Sequence, residues 1–311
     1  MSEANHNQEL IEARKVSLWM RVRMMPLSWF LSLLSHLPFA MLYPLAGLLG
    51  FTAEYLVRYR SRIVTRNISD SFPELTEKEV RSVRRKFYHR LGDYFVETLK
   101  FPAMSEKELK KRMVFEGTDI VDKYLSEGRE IVIYTSHFGN WEWITSMGLW
   151  CRMYPKAAFA HVYRPLKQPW FDRWWLRLRG RFNSSIPMKN VLRRLLAWRK
   201  EGTPWITGFL SDQKPSHAGT VHEVEFLGRT TPFIYGTEEL ARKLNAVVLL
   251  FDTEVVGRGH YKSRVRLVTD DPTSLPEGEI TRLYAENLTA QIRKTPEAYL
   301  WSHNRWRLPK R

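Results

Sequence analysis

The stretch Glu130-Ile-Val-Ile-Tyr-Thr-Ser-His-Phe-Gly-Asn-Trp-Glu142 indicates the fold more clearly than any other part of this 311-residue chain. Its first part, Glu130 to Tyr134, is a short apolar and β-branched run, which is typical of a strand buried on both faces. A helical pattern from Trp141 to Met153 follows the turn that Gly139 permits. A buried strand that leads directly into a helix is the repeating unit of a parallel sheet.

Strands and helices alternate on both sides of this unit. We predict further strands at Ala157 to Tyr163, Trp205 to Leu210, Val221 to Phe226, Ala246 to Val256 and Tyr261 to Val268. Helical patterns cover Trp170 to Arg181, Val191 to Glu201, Gly236 to Asn245 and Glu279 to Thr295. A capping box at Thr76 and Glu79 begins a long helix toward Lys100. This alternation predicts an α/β fold with a mostly parallel β-sheet flanked by helices.

The composition fits a globular protein with an anionic partner. Apolar residues make up 44% of the chain and aromatic residues 13%, which excludes a disordered basic tail or a collagen-like rod. The single cysteine, Cys151, excludes a disulfide scaffold and any multi-thiolate metal site. The formal net charge is +16. Nucleic acid, an anionic membrane surface, an acidic carrier protein and a phosphorylated substrate would each attract such a charge.

Most of the positive charge lies in one region. Residues Arg152 to Lys200 include thirteen basic residues and one acidic residue. Within them, Trp170 to Arg181 mixes tryptophans with arginines, as an interfacial element does when it places rings at headgroup depth and guanidinium groups on lipid phosphates. We expect Arg173 and Arg177 to bind substrate, anionic lipid or an acidic carrier. A nucleic-acid surface or a solvated amphipathic helix would show the same composition.

An uncharged run near the N-terminus favours the membrane. It extends over 30 residues, from Met24 to Ala53, and is uncharged when His36 is neutral. A helix needs about 20 apolar residues to span the bilayer core. Prolines interrupt the run and basic residues flank both ends, so we predict a bent helical hairpin that enters one leaflet. A buried helical pair of a soluble core is the alternative. We expect residues 1–60 to form a polar segment plus this helical membrane anchor, and residues 61–311 one α/β domain.

Functional side chains are expected beyond the carboxyl ends of the strands. His137 follows the first predicted strand, and Glu142 falls in the first turn of the next helix. If the backbone folds back there, the Glu142 carboxylate reaches one imidazole nitrogen, and the other nitrogen can take a proton from an alcohol. No Gly-x-Ser-x-Gly elbow is present. The pair therefore fits direct attack by a substrate hydroxyl on an activated acyl group. The alternative is that His137 and Glu142 only cap the helix or pack in the core.

Four ordered segments resemble those of one protein family. They are Ser136-His-Phe-Gly-Asn-Trp-Glu142, Val162-Tyr-Arg-Pro165, Gly208-Phe-Leu-Ser-Asp-Gln213 and Pro296-Glu-Ala-Tyr-Leu-Trp-Ser-His-Asn-Arg-Trp-Arg307. The first is similar to the His-x4-Asp/Glu motif of the glycerophospholipid-type acyltransferase superfamily. The four together resemble the late (secondary) acyltransferases of lipid A biosynthesis.

This resemblance implies transfer of a fatty acyl chain from acyl carrier protein to a hydroxyl of an acylated, phosphorylated glucosamine disaccharide. The reaction would take place at the cytoplasmic face of the bacterial inner membrane, with His137 as general base and Glu142 as its partner. We expect Arg164 to hold a substrate phosphate or the acyl carbonyl. Asp212 would orient a site arginine or the sugar, and Asn140 would contact substrate. The resemblance implies no cofactor and no metal.

Three other functions compete with this interpretation. A metal site at His217 and His222, near Asp212 and Glu223, lacks the helical i, i+4 spacing of such ligands. Nucleic-acid binding has no recognisable motif and is opposed by the uncharged anchor, so no nucleic-acid partner is expected. The serious competitor is an acyltransferase of the same fold that acts on a lysophospholipid, ornithine lipid or other glycolipid. The His/Glu pair specifies acyl transfer and says little about the acceptor.

Overall fold

The computed structural model describes residues 10–12, 15–154, 156–215 and 221–306. The strands are β1 (Met113–Glu116), β2 (Ile131–Thr135), β3 (Ala158–Tyr163), β4 (Ser184–Pro187), β5 (Trp205–Leu210), β6 (Val221–Phe226), β7 (Arg229–Ile234), β8 (Val247–Gly257) and β9 (His260–Thr269). The α-helices are α1 (Leu18–His36), α2 (Phe39–Phe51), α3 (Ser61–Ser71), α4 (Glu77–Lys100), α5 (Glu106–Arg112), α6 (Asp119–Ser126), α7 (Pro169–Arg179), α8 (Val191–Lys200), α9 (Gly236–Leu244) and α10 (Glu279–Lys294). A π-helical turn, Thr52–Leu56, extends α2.

Seven of these strands form one sheet in the order β1-β9-β8-β2-β5-β3-β4. Neighbouring strands are parallel in every ladder except β8–β9. The predicted α/β class with a mostly parallel sheet is confirmed. Strands β6 and β7 form a separate antiparallel pair, so the predicted strand at Val221 to Phe226 exists but lies outside the main sheet.

Both faces of the sheet are buried, as the continuous apolar character of β2 predicts. Val132 and Tyr134 pack into the core on one face, together with α9 and α10. Ile131 and Ile133 pack into the core on the other face, together with α6. Since helices cover both faces, the polar chemistry of such a sheet is confined to the strand ends.

The long helix α4 begins at the predicted capping box. The Thr76 hydroxyl accepts a hydrogen bond from the Glu79 backbone N–H, and the Glu79 carboxylate accepts one from the Thr76 backbone N–H at 2.8 Å. Two of the unpaired N–H groups at the helix start are thereby satisfied. The helix ends at Lys100, where it was predicted to end.

The uncharged run near the N-terminus forms α1 and α2, with a break in the helix at Leu37 and Pro38. Within the described residues, Phe39–Leu56 is the one stretch that is long and apolar enough to cross a membrane, and 28% of it is buried. Large apolar side chains exposed on these two helices include Leu18, Trp19, Val22, Trp29, Phe30, Leu33, Met41 and Leu48. So many exposed large apolar side chains on two helices are typical of an interaction surface.

Helix α2 approaches α4 backbone to backbone. A Cβ atom on Gly92 of α4 would overlap the carbonyl oxygen of Ala46, and one on Gly50 would lie 2.6 Å from the carbonyl oxygen of Tyr88. Only glycine fits at these two positions, because any other side chain would separate the helices. The apolar helix α2 is therefore packed directly against the α/β domain.

Candidate active site

Two functional side chains meet where neighbouring parallel strands end. His137 follows β2 and Asp212 follows β5, and Thr135 is in register with Leu210. The imidazole Nδ1 lies 2.7 Å from Asp212 Oδ1, and the His137 backbone N–H donates to Asp212 Oδ2 at 3.2 Å. The His137 side chain is 14% exposed and that of Asp212 only 2%. A substrate can thus reach the imidazole while the carboxylate stays shielded from water.

The partners of His137 define its tautomer. Burial disfavours the Asp212 carboxylate, but the adjacent His137, with the two hydrogen bonds that it donates, lowers the pKa of Asp212 below its ordinary value. An ionised Asp212 accepts a hydrogen bond from Nδ1, so the imidazole proton is on Nδ1. The lone pair of Nε2 is then available to accept a proton. The Gln213 amide nitrogen lies 3.2 Å from Nε2 and donates to it. An imidazole held in this way has the geometry of a general base.

The expected contact between Glu142 and His137 is not present. Both Glu142 oxygens accept hydrogen bonds from Arg179 of α7, each at 2.7 Å, and Tyr94 donates to one of them at 3.3 Å. A bidentate guanidinium pair satisfies this buried carboxylate more fully than one imidazole nitrogen would. Asp212, which was expected to orient an arginine or the sugar, instead occupies the Nδ1 side of His137.

The segment after His137 is shaped by aromatic stacking and side-chain hydrogen bonds. Trp141 stacks on Tyr94 with ring centroids 4.0 Å apart and contacts the His137 ring edge-on at 5.1 Å. The predicted α-helix from Trp141 to Met153 is a 3₁₀ helix, Trp143–Trp150. The hydroxyl groups of Thr145 and Ser146 donate to carbonyls three residues earlier, which favours the tighter helix.

Asn140 is turned inward, away from where a substrate would bind. Its amide nitrogen donates to Glu97 Oε2 at 3.0 Å, and its side-chain oxygen accepts from the Trp143 backbone N–H at 3.3 Å. Tyr261 also donates to Glu97 Oε2, at 2.8 Å. Asn140 is 2% exposed and its amide is bonded within the protein, and its contact with substrate stays a prediction. Its turn-forming side chain is used to fix the loop against α4.

The buried carboxyl group of Glu97 makes the stability of the folded state depend on pH. Burial raises the pKa of Glu97 to about 7, although hydrogen bonds from Asn140 and Tyr261 oppose the shift. The folded state therefore holds a proton that the unfolded chain releases, so stability falls as the pH rises from the ordinary value of 4.5 toward 7.

Replacing Glu97 with glutamine removes this titration. We expect the free energy of unfolding of Glu97→Gln, relative to the unmodified protein, to rise by about 2 to 3 kcal/mol between about pH 5 and about pH 8. Urea unfolding at both pH values measures the difference. The exposed Glu286→Gln serves as control, and equal pH dependence in Glu97→Gln and the unmodified protein would contradict the assignment.

The C-terminal segment contacts the backbone of the loop that carries His137. Phe138 and Tyr299 form an isolated antiparallel bridge, and the Leu300 backbone N–H donates to the His137 carbonyl at 3.1 Å. Gly139, with φ +62°, turns the loop so that its N–H donates to the Ala298 carbonyl at 3.0 Å. The terminal motif recognised in the sequence is thus packed onto the histidine loop.

Two further residues of the terminal motif lie near Asp212. Burial lowers the pKa of His303 to about 4, with Asp212 acting in the opposite direction, so His303 is neutral near pH 7. Its Nε2 accepts from the Lys214 backbone N–H at 3.2 Å. Arg305 is 1% exposed and donates to the Pro232 carbonyl at 2.7 Å. His303 thus holds the loop that follows β5 and carries Asp212, and Arg305 is hydrogen-bonded to β7.

The three predicted substrate-binding arginines lie in two different places. Arg164 follows β3, which neighbours β5 in the sheet, and its side chain is exposed. Arg173 and Arg177 lie on α7 and line a groove between α7 and α1. Their role in substrate binding stays a prediction.

The residues of the alternative metal site have other partners. His217 lies outside the described residues. His222 Nε2 is 3.9 Å from Glu277, while Asp212 holds His137. Within the described part of the chain, no three His, Cys, Asp or Glu residues are grouped as metal ligands.

Sequence reasoning missed Gln213 and Arg179 as members of the site. Gln213 was within a motif recognised in the sequence, directly after Asp212, and that position was the available clue. Arg179 was counted only as part of the basic region. Its pairing with Glu142 depends on how α7 crosses the sheet, which no local pattern encodes.

Fold and site together define an α/β protein with a histidine–aspartate pair at the carboxyl edge of its sheet. Residues 11–308 match the family of bacterial lipid A biosynthesis acyltransferases, and the chain belongs to this family. It is 22% identical over 304 residues, 96% of this chain and 90% of the relative, to a lipid A biosynthesis acyltransferase of Haemophilus influenzae. It is 24% identical over 280 residues, 88% of each chain, to a lipid A biosynthesis lauroyltransferase of Escherichia coli K12. The protein is an acyltransferase, and the resemblance seen in the four motifs is confirmed.

Proposed function

We propose that this protein transfers a fatty acyl chain from acyl carrier protein to a hydroxyl of a phosphorylated, acylated glucosamine disaccharide, a lipid A precursor. The observation that carries the proposal is the partly exposed imidazole of His137, whose Nδ1 is held by buried Asp212. Family membership supports the acceptor class. The basic region between Arg152 and Lys200 suits a phosphorylated acceptor and an acidic carrier protein.

In the proposed reaction, His137 Nε2 takes the proton of the acceptor hydroxyl as its oxygen attacks the thioester carbonyl. The C–O bond forms, the C–S bond breaks, and the imidazolium returns the proton to the departing thiolate. Asp212 stabilises the imidazolium between these steps. The acceptor hydroxyl takes the place of the Gln213 amide, which occupies Nε2 in the resting site at 3.2 Å.

Glu142 acts in this mechanism as a positioning residue rather than as the direct partner of the base. Its pair with Arg179 fixes the start of the 3₁₀ helix, and Trp141 beside it contacts the His137 ring. Arg164, which follows the neighbouring strand β3, is the residue that we assign to a substrate phosphate or the acyl carbonyl.

We place the protein at the cytoplasmic face of the bacterial inner membrane, with residues 1–60 as the polar segment and membrane anchor. The exposed apolar side chains of α1 and α2 support an anchor, because water-exposed helices rarely carry so many. Arginines on both sides of the run support an anchor that enters one leaflet. Acyl carrier protein and an anionic phospholipid surface are the proposed partners.

Purified full-length protein should acylate the proposed acceptor. We expect incubation with acyl-loaded carrier protein and the phosphorylated disaccharide to give a product heavier by one acyl chain, detected by mass spectrometry. A lysophospholipid, an ornithine lipid and a glycolipid without phosphates are tested beside it, and we expect rates at least about tenfold lower. The last two lack a phosphate for the arginines, and the lysophospholipid carries its phosphate on glycerol rather than on a disaccharide. Faster acylation of any of these three would overturn the acceptor assignment. Acylation of none of the four acceptors would overturn the proposed function.

A further inference from the structure

Helices α1 and α7 enclose an open groove of about 490 Å³. Its walls come from Met25 and Trp29 of α1 and from Trp170 and Trp174 of α7. The volume is within the range of about 300 to 1,000 Å³ that is typical of sites for small molecules. None of the side chains that surround His137 lines it. The groove is therefore distinct from the proposed reaction centre.

The wall that α1 contributes is less polar than its sequence indicates. Ser28 and Ser35 both line the groove, but their hydroxyl groups donate to carbonyls of their own helix, Ser28 to Met24 at 2.9 Å and Ser35 to Ser32 at 2.7 Å. Hydroxyl groups satisfied in this way do not require a polar ligand. Apart from Ser32 and the arginines, the groove thus presents mainly tryptophan rings and aliphatic carbon.

Three arginines supply the charge of the groove. Arg21 of α1 faces Arg173 and Arg177 of α7, and no acidic residue is among the described residues that line it. Burial lowers the pKa of Arg173, and the charges of Arg177 and Arg21 lower it further, while Glu12 acts in the opposite direction. Three guanidinium groups that repel one another favour an anion between them.

The groove is continuous with the exposed apolar surface of α1. Trp29 both lines the groove and is 73% exposed, and Phe30 and Leu33 next to it are exposed as well. A molecule in the groove would therefore meet both apolar surface and guanidinium groups. A phospholipid with an anionic headgroup has both an apolar part and a negative charge. A folded acidic protein would not enter a space of this size.

We propose that the groove between α1 and α7 binds one anionic phospholipid of the bilayer. Its phosphate lies among Arg21, Arg173 and Arg177, and one acyl chain lies along Trp29 and Trp174. The inference goes beyond acyl transfer and does not depend on it. The bound lipid joins α1 to the helix that also carries Arg179, the partner of Glu142.

Native mass spectrometry of the full-length protein, released from nanodiscs of phosphatidylcholine and phosphatidylglycerol, counts the retained lipid. We expect one retained phosphatidylglycerol and about tenfold less phosphatidylcholine, because the choline cation cancels the phosphate charge of phosphatidylcholine and is repelled by the three arginines. Arg173→Gln with Arg177→Gln should lower phosphatidylglycerol retention about tenfold. Ser32→Phe, which fills the groove from α1 and keeps all three arginines, should lower it as well.

The matched control is Lys189→Gln with Arg193→Gln, which removes two exposed charges from the same basic region outside the groove. This variant should retain phosphatidylglycerol as the unmodified protein does. Thermal unfolding midpoints check the fold of each variant. If the arginine variant is unstable, retention of phosphatidylglycerol by Ser32→Phe tests the proposal instead.

Four results would each overturn the proposal. They are equal retention of the two lipids, full retention by Ser32→Phe, displacement of phosphatidylglycerol by excess inorganic phosphate, and an arginine variant that raises only KM for the glycolipid acceptor. Displacement by inorganic phosphate would show that the groove is only an anion site. An effect on KM alone would assign the arginines to binding of the glycolipid acceptor.

Discussion

His137→Ala is expected to lower kcat for acyl transfer about 10³-fold or more, because a positioned general base contributes about 10² to 10⁴-fold. The imidazole is the exposed member of the pair with Asp212, so its removal deletes the base and leaves the carboxylate. Steady-state kinetics with acyl-loaded carrier protein and the lipid acceptor measure the loss. We expect KM for the acceptor to change little, since no other binding group is removed.

The exposed His89 of α4 provides the control for this variant. His89→Ala should keep full activity, and thermal unfolding should show that both variants are folded. Membrane attachment should persist in both. Activity of His137→Ala within tenfold of the unmodified enzyme would rule out the proposed mechanism.

Asp212→Asn is expected to lower kcat about 10³ to 10⁴-fold, as replacement of a buried, histidine-orienting aspartate does in hydrolase triads. The asparagine amide can donate to Nδ1, which places the imidazole proton on Nε2 and removes the base. The imidazolium also loses its stabilising charge. Steady-state kinetics measure the loss, and a KM for the acceptor close to that of the unmodified protein distinguishes this effect from a structural one.

Glu142→Gln is the informative comparison for Asp212→Asn. Glutamine keeps one acceptor oxygen for Arg179, so the position of Trp141 is largely retained. We therefore expect kcat to fall far less in Glu142→Gln than in Asp212→Asn. A larger loss of kcat in Glu142→Gln than in Asp212→Asn would reverse the roles that the two carboxylates have here.

The main strands and helices were predictable because each is long enough to show a pattern. Strand β2, for example, shows continuous burial in five successive residues. The edge strands β1 and β4 have four residues each, with alternating or small side chains, and no pattern distinguishes them from loops. They become strands only because β9 and β3 offer free edges.

The position of His137 was predictable from the strand that precedes it, but its partner was not. Asp212 lies 75 positions further along the chain. Contact between the two requires β5 to lie directly beside β2, although β3 and β4 intervene in the sequence. Glu142 is five residues from His137 and was therefore the obvious candidate. Its burial against Arg179 depends on the path of α7 and is not encoded locally.

The close packing of α2 on α4 also restricts rotation. With Ala46 and Gly50 against the backbone of α4 at Gly92 and Tyr88, α2 cannot turn about its own axis or slip by one helical turn without steric overlap. The exposed side chains of Met41 and Leu48 therefore keep one fixed direction relative to the strand ends. Any surface that holds α2 also sets the angle at which His137 is presented to that surface.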